Sequence, residues 1–318
     1  MLDIGLQPPR MHFLSFTVAY VLFVLAGICT SLKIRARNFT SVDGTRIYAE
    51  AVGSVANQPL LWLHGDSFSG LAFDKQFDDR RLSESFFMVR MDLRGMGRSA
   101  KPTDPSNINS WTPDKQAGDV QAVIQGFGLR KPVLLGWSYG ATIIADYISQ
   151  HGVDDLSGIV VFGSTIGPSS NIGQFFTIPV QILNDLGDVN ALSDKLDHVI
   201  SQFVWRLSFT PFSQRDFVTM KGIAFGTDSE TRNMVSLRPV DWTPMTNANK
   251  TLPLLLIAGE HDSISSPGFV DAFIQSGNWS SELLTTKIIR NAGHVSFWEM
   301  PREFSMIVED WVKGLKRK

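Results

Sequence analysis

Short apolar runs recur along the chain, separated by longer stretches in which apolar residues follow helical spacing. Runs at 60–63, 86–91, 132–136, 156–162, 252–258 and 284–290 are bounded by turn residues and are too short for globular helices. Each predicts a strand buried on both faces. Thr112-Pro113-Asp114 opens a helical pattern running to about Phe127, with Thr112 as N-cap and Pro113 in the first turn. Further helices are predicted at 141–148, 267–276 and 301–315. Upstream, 34–40 and 45–51 flank Asp43-Gly44, a favoured tight-turn pair, and predict a β-hairpin. Strand and helix in alternation give an α/β fold, a mostly parallel sheet with helices on both faces. Such sheets carry their sites at the carboxyl ends of strands.

The rhythm breaks between about Ile166 and Met245, where no strand pattern occurs. Eighty residues are too many for a loop in a compact domain, so 166–245 is expected to be an inserted helical subdomain. It is rich in large side chains: Phe175, Phe176, Phe203, Trp205, Phe209, Phe212, Phe217 and Phe225. The core is then divided into 34–165 and 246–318, with 1–33 standing apart. There is no internal repeat and no low-complexity tract.

Residues 13–32 contain no charge. Such a run is about what a helix needs to cross the hydrocarbon core, so it predicts a membrane-anchoring apolar helix. The alternative is a secretory signal peptide cut after Val24-Leu25-Ala26, with the domain then secreted. Lys33, Arg35 and Arg37 after the run, against Arg10 and Asp3 before it, would keep the domain cytoplasmic. Asn-x-Ser/Thr acceptors at Asn38, Asn249 and Asn278 argue for a lumenal or external domain.

Composition narrows the chemistry. The chain has 318 residues, 43% hydrophobic and 19% charged, enough for one large core. Its net charge of −2 lacks the basic excess that a nucleic-acid partner calls for. One cysteine, Cys29, leaves the globular part without a disulfide. Six histidines show no zinc-ligand spacing, and no metal or cofactor is expected.

The strand at 132–136 runs into Gly136-Trp137-Ser138-Tyr139-Gly140, and a helix follows at once. A serine between two glycines at a strand-to-helix turn is a nucleophile elbow: the tight turn excludes side chains two residues either side and lifts Ser138 above the sheet edge. Serine needs a base to take its proton. His294, in the loop after the last strand, is placed best; His64, at the end of 60–63, is the runner-up. The base needs a carboxylate to hold its tautomer. Asp262, after strand 252–258, is the expected partner, with Glu260 as the alternative. Backbone N–H groups of Tyr139 and Asp66 are the expected oxyanion donors, with Ser67 as the other choice for the second.

From about 34 to 315 the chain resembles the α/β-hydrolase superfamily, in the serine-nucleophile branch with a helical lid after the sixth strand. The resemblance rests on Leu63-His64-Gly65, Asp92-x-Arg94-Gly95-x-Gly97-x-Ser99, the 136–140 elbow, Gly259-x-x-Asp262 and Gly293-His294. It implies an eight-stranded sheet, a Ser138–Asp262–His294 triad and no cofactor. The Asp92–Ser99 segment is then a turn beside the site. Serine at the elbow argues against the haloalkane dehalogenase and epoxide hydrolase branches, which use aspartate there. The implied activity is acyl hydrolysis in the manner of a carboxylesterase or lipase, on a small apolar substrate beneath an aromatic lid. C–C bond hydrolysis or lyase chemistry on the same triad, and a non-enzymatic binding role, are the alternatives. Asp66 departs from the family, which has an apolar or small residue there; its carboxylate would oppose an oxyanion unless it turned to solvent.

Overall fold

The computed structural model describes residues 34–167 and 173–315. The expected anchor or signal run at 13–32 lies outside them. Among the described residues no helix is long and apolar enough to cross a membrane.

Eight strands form one sheet: β1 Arg35–Thr40, β2 Arg46–Val52, β3 Gln58–Leu63, β4 Phe86–Met91, β5 Val133–Trp137, β6 Gly158–Phe162, β7 Leu254–Gly259 and β8 Leu284–Ile289. Their order across the sheet is β1-β2-β4-β3-β5-β6-β7-β8. The expected hairpin pairs β1 with β2, and β2 meets β4 antiparallel; the remaining neighbours are parallel. This is the mostly parallel eight-stranded sheet the sequence predicts.

Parallel strands must bury both faces, and the apolar runs supply two sets of side chains. Leu61 and Leu63 of β3 join one core, Leu60 and Trp62 the other. The first core takes in α1 (Pro113–Phe127) and α2 (Tyr139–His151). The second takes in the inserted helices α3 (Val180–Leu186), α4 (Ser193–Leu207) and α5 (Gln214–Phe225). Two more join the first core, α6 (Ser229–Leu237) through Val235 and α7 (Gly268–Gln275) through Phe269, Val270 and Phe273. The C-terminal α8 (Pro301–Leu315) packs in the second through Phe304, Val308 and Val312. The insertion thus lies between β6 and β7, helical as expected. Along α4, Val199, Ile200, Phe203, Val204 and Leu207 are buried, one stripe at helical spacing.

Two local expectations change. The run at 252–258 begins its strand only at Leu254, because Pro253 has no N–H to give the ladder. Thr112 occupies the N-cap position of α1 without capping it; its hydroxyl donates to Asp114 Oδ1 at 2.6 Å.

The crossing of β5 and α2 is tight. A Cβ on Gly136 would lie 2.7 Å from the Gly140 carbonyl, and one on Gly140 would lie 2.2 Å from the Leu63 oxygen. Both obstacles are backbone and cannot swing aside. Gly140→Ala is therefore expected to lower stability by about 1–3 kcal/mol, the range for forcing extra atoms into a packed core. Urea unfolding measures it, and an unchanged midpoint would contradict the close approach.

Candidate active site

Ser138 sits between β5 and α2 with φ 52° and ψ −117°, a conformation that a side-chain-bearing residue rarely adopts. Its amide donates to Phe162 O at 3.0 Å, and its carbonyl accepts Ala141 N at 2.9 Å. These bonds hold the strained turn at the N-terminus of a thirteen-residue helix. The first N–H groups of such a helix have no intrahelical acceptor, and its positive end favours a developing anion. Tyr139 N is the first of them.

Three strand-end loops converge on this turn. The loop after β8 carries His294, only 2% exposed. Trp137 Nε1, one residue before Ser138, donates to His294 O at 3.1 Å. Gly163, immediately after β6 with φ 55°, also approaches that carbonyl; a Cβ there would lie 2.8 Å from it. The loop after β7 carries Asp262. His294 Nδ1 lies 2.9 Å from Asp262 Oδ2 and 3.1 Å from Oδ1. Asp262 Oδ1 also accepts the N–H groups of Ile264 and Ser265, both at 2.8 Å. An ionised carboxylate only accepts, so Nδ1 must carry the proton and Nε2 is left with its lone pair. The Ser138 hydroxyl has no hydrogen-bond partner among the described residues. Catalytic hydrogen bonds commonly tighten only when substrate binds.

The alternatives are placed elsewhere. His64 is fully buried, and its Nε2 accepts Leu93 N at 2.9 Å while Nδ1 meets Gly65 O at 2.8 Å. Both ring nitrogens are committed to ordering the loop, and burial lowers its pKa. Glu260 is exposed; it accepts Asn291 N and lies near His261. Asp92 accepts Gly70 N and Arg98 N, which makes the 92–99 segment a structural turn.

The loop after β3 reaches the nucleophile directly: a Cβ on Gly65 would lie 3.3 Å from Ser138 Cβ and 3.1 Å from the Trp137 ring. Asp66 and Ser67 follow, and Ser67 takes φ 67°. The Asp66 side chain does not turn out to solvent, as one expectation had it. It is partly buried and accepts Ser67 Oγ at 3.2 Å. Burial pushes it up to about 6, against the nearby Arg232 charge and the Ser67 hydrogen bonds.

Three side chains outside the sequence motifs join this region. Arg232 of α6 donates through Nε to Ser67 Oγ at 3.0 Å. Arg238, at the end of α6, donates to Tyr139 Oη at 2.5 Å and pairs with buried Asp146 at 2.8 Å. Glu299 accepts Phe209 N and Thr210 N at 2.9 Å through Oε1, and Gly293 N at 2.7 Å through Oε2. It therefore ties the insertion to the His294 loop. Glu299→Ala removes the acceptor for three backbone donors and is expected to cost about 1–3 kcal/mol. Thermal unfolding should place Glu299→Gln, which keeps one oxygen, between alanine and wild type; equal midpoints for all three would contradict the tie.

The aromatic side chains of the insertion divide. Phe203 approaches Phe68 at 6.2 Å, and Phe68 packs on Trp137 at 4.9 Å, a buried cluster that ties the insertion to the elbow. Trp205 stacks on Phe217 within the insertion, and Phe209 stacks on His261, the chain neighbour of Asp262. A cavity of about 730 Å³ between β8 and α8 contains none of the candidate residues. Among the described residues no cluster of three or more His, Cys, Asp or Glu is placed to hold a metal ion.

Residues 60–306 match the model described as the alpha/beta hydrolase family. Epoxide hydrolase 3 of Xenopus tropicalis is 25% identical over a match covering 85% of this chain and 76% of its own length. The AB hydrolase superfamily protein YisY of Bacillus subtilis (strain 168) is 24% identical, covering 82% and 93%. Among solved structures, the esterase RhEst1 from Rhodococcus sp. ECU1013 superposes with a TM-score of 0.77 at 26% identity, covering 88% of this chain and 99% of that one.

Proposed function

Since the chain belongs to the alpha/beta hydrolase family, we propose that it is a serine hydrolase that cleaves ester or related acyl bonds through an acyl-enzyme. The observation that carries this reading is the buried His294–Asp262 pair, held by Trp137 beside the strained Ser138. His294 Nε2 takes the hydroxyl proton as Ser138 Oγ attacks the carbonyl carbon. The carbonyl oxygen gains the charge, and the backbone N–H groups of Tyr139 and Asp66 hold it. The tetrahedral adduct collapses when His294 returns the proton to the leaving alcohol. Water then attacks the acyl-enzyme by the same steps and releases the acid.

Ser138 also separates this reading from epoxide opening. An aspartate nucleophile leaves an ester that water can cleave, whereas serine would leave an ether that it cannot. The aromatic-rich insertion favours an apolar acyl or alcohol part.

The test is hydrolysis of nitrophenyl esters over a series of acyl chain lengths, with labelling of Ser138 by a fluorophosphonate. Turnover that rises with chain length up to a limit is expected. No turnover of any ester, with no labelling, would overturn the reading.

A further inference from the structure

A carboxylate beside an oxyanion donor is an electrostatic fault. Asp66 follows Gly65, which approaches the nucleophile, and burial pushes its pKa up to about 6 while the nearby Arg232 charge and the Ser67 hydrogen bonds favour its ionised form. The loop that carries it is also strained at Ser67. Both faults meet one side chain of the insertion. Arg232 is 1% exposed. Its Nε donates to Ser67 Oγ at 3.0 Å and its Nη2 to Ala224 O at 2.7 Å, while Nη1 is buried with no hydrogen-bond partner. Ser67 passes the contact on, donating to Asp66 Oδ1. The charges of Arg232 and Asp66 each favour the ionised form of the other. A guanidinium is costly to bury, and packing alone gives no reason for one here.

We propose that Arg232 is a positioning residue of the candidate site: through Ser67 it fixes the loop carrying the Asp66 N–H, and its charge offsets the Asp66 carboxylate so that an oxyanion can form beside it. This rests on the serine-hydrolase reading above. Arg232 need not touch substrate. Helix α6 thereby completes the electrostatics of the loop, and Asp66 is tolerated because a cation 166 residues further along the chain compensates it.

The rate of fluorophosphonate labelling of Ser138 tests this without knowledge of the substrate, because the phosphoryl oxygen enters the oxyanion position as Ser138 displaces fluoride. Loss of one such donor typically slows reaction about 100- to 1,000-fold, so loss of a group that only positions one is expected to slow labelling by about tenfold. Arg232→Met should show that decrease at pH 8, and Arg232→Lys, which keeps the charge without the fork, should fall between it and wild type. Asp66→Asn keeps the backbone N–H and removes the charge; added to Arg232→Met it should recover part of the rate. A purely structural arginine would give no such recovery, and that result overturns the proposal, as does a wild-type rate in Arg232→Met. If Arg232→Met shows no cooperative melt, Ser67→Ala removes the acceptor while leaving the arginine; slower labelling supports the proposal and a wild-type rate overturns it. Wild-type protein that labels no faster than Ser138→Ala overturns the serine-hydrolase reading and this one with it. A labelled wild type with indifferent variants overturns this one alone.

Discussion

Ser138→Ala is expected to reduce nitrophenyl ester turnover by about a million-fold, the scale seen when a hydrolase loses its triad serine. Only the oxygen is removed. Alanine keeps the Cβ, so the strained turn at φ 52°, the Ser138 N–Phe162 O bond and the Ala141 N–Ser138 O bond all persist. The thermal midpoint should therefore stay close to wild type while fluorophosphonate labelling disappears. That pairing of lost chemistry with retained stability is the informative result. Residual turnover within tenfold of wild type would show that another group supplies the nucleophile.

Asp262→Asn should lower kcat by about 10,000-fold with a much smaller effect on KM, as an asparagine in this role does elsewhere. The geometry shows why. Asp262 Oδ1 is engaged by Ile264 N and Ser265 N, so an asparagine carbonyl oxygen would be drawn to that side. The amide NH2 would then face His294 Nδ1 where Oδ2 now stands at 2.9 Å. A donor there requires Nδ1 to be unprotonated, which puts the proton on Nε2 and removes the base that Ser138 needs. Steady-state kinetics of Asp262→Asn beside Glu260→Gln decide it. Equal losses in both variants, or a loss in Glu260→Gln alone, would overturn the assignment. Glu260 is exposed and bonded to Asn291 N, so its variant should keep nearly wild-type turnover.

Much of the architecture was legible because parallel strands declare themselves. A strand covered on both faces must be apolar at nearly every position, and the runs at 60–63, 86–91 and 132–136 stand out from the mixed pattern around them. The elbow was legible for a similar reason. At Gly136 and Gly140 the backbone of one element lies against that of another, and only glycine fits. His294 and Asp262 were legible as strand-end residues, once the sheet assigned all carboxyl ends to one edge.

Arg232, Arg238 and Glu299 carry no such mark. Arginine and glutamate on or beside helices read as solvated surface, and the partners that Arg232 and Arg238 are buried against, like those Glu299 holds in the insertion, are distant in the chain. Ser67 is 165 residues from Arg232, and Tyr139 is 99 from Arg238. No local pattern records a contact of that kind. The same limit governs His64 and Asp66. Both sit in a strand-end loop where a site belongs. Only the arrival of Leu93 N at His64 Nε2 removes it as a base, and only the fold brings the lid arginine, through Ser67, to Asp66.

By itself the sequence determined the sheet, the insertion and the elbow, because these depend on periodicity and on steric exclusion between near neighbours in the chain. The tertiary structure alone decided which histidine meets which carboxylate, where the Asp66 charge goes and which lid residues reach the loop. Those depend on distances between elements brought together by burial, and burial acts on the whole core rather than on any one stretch of chain.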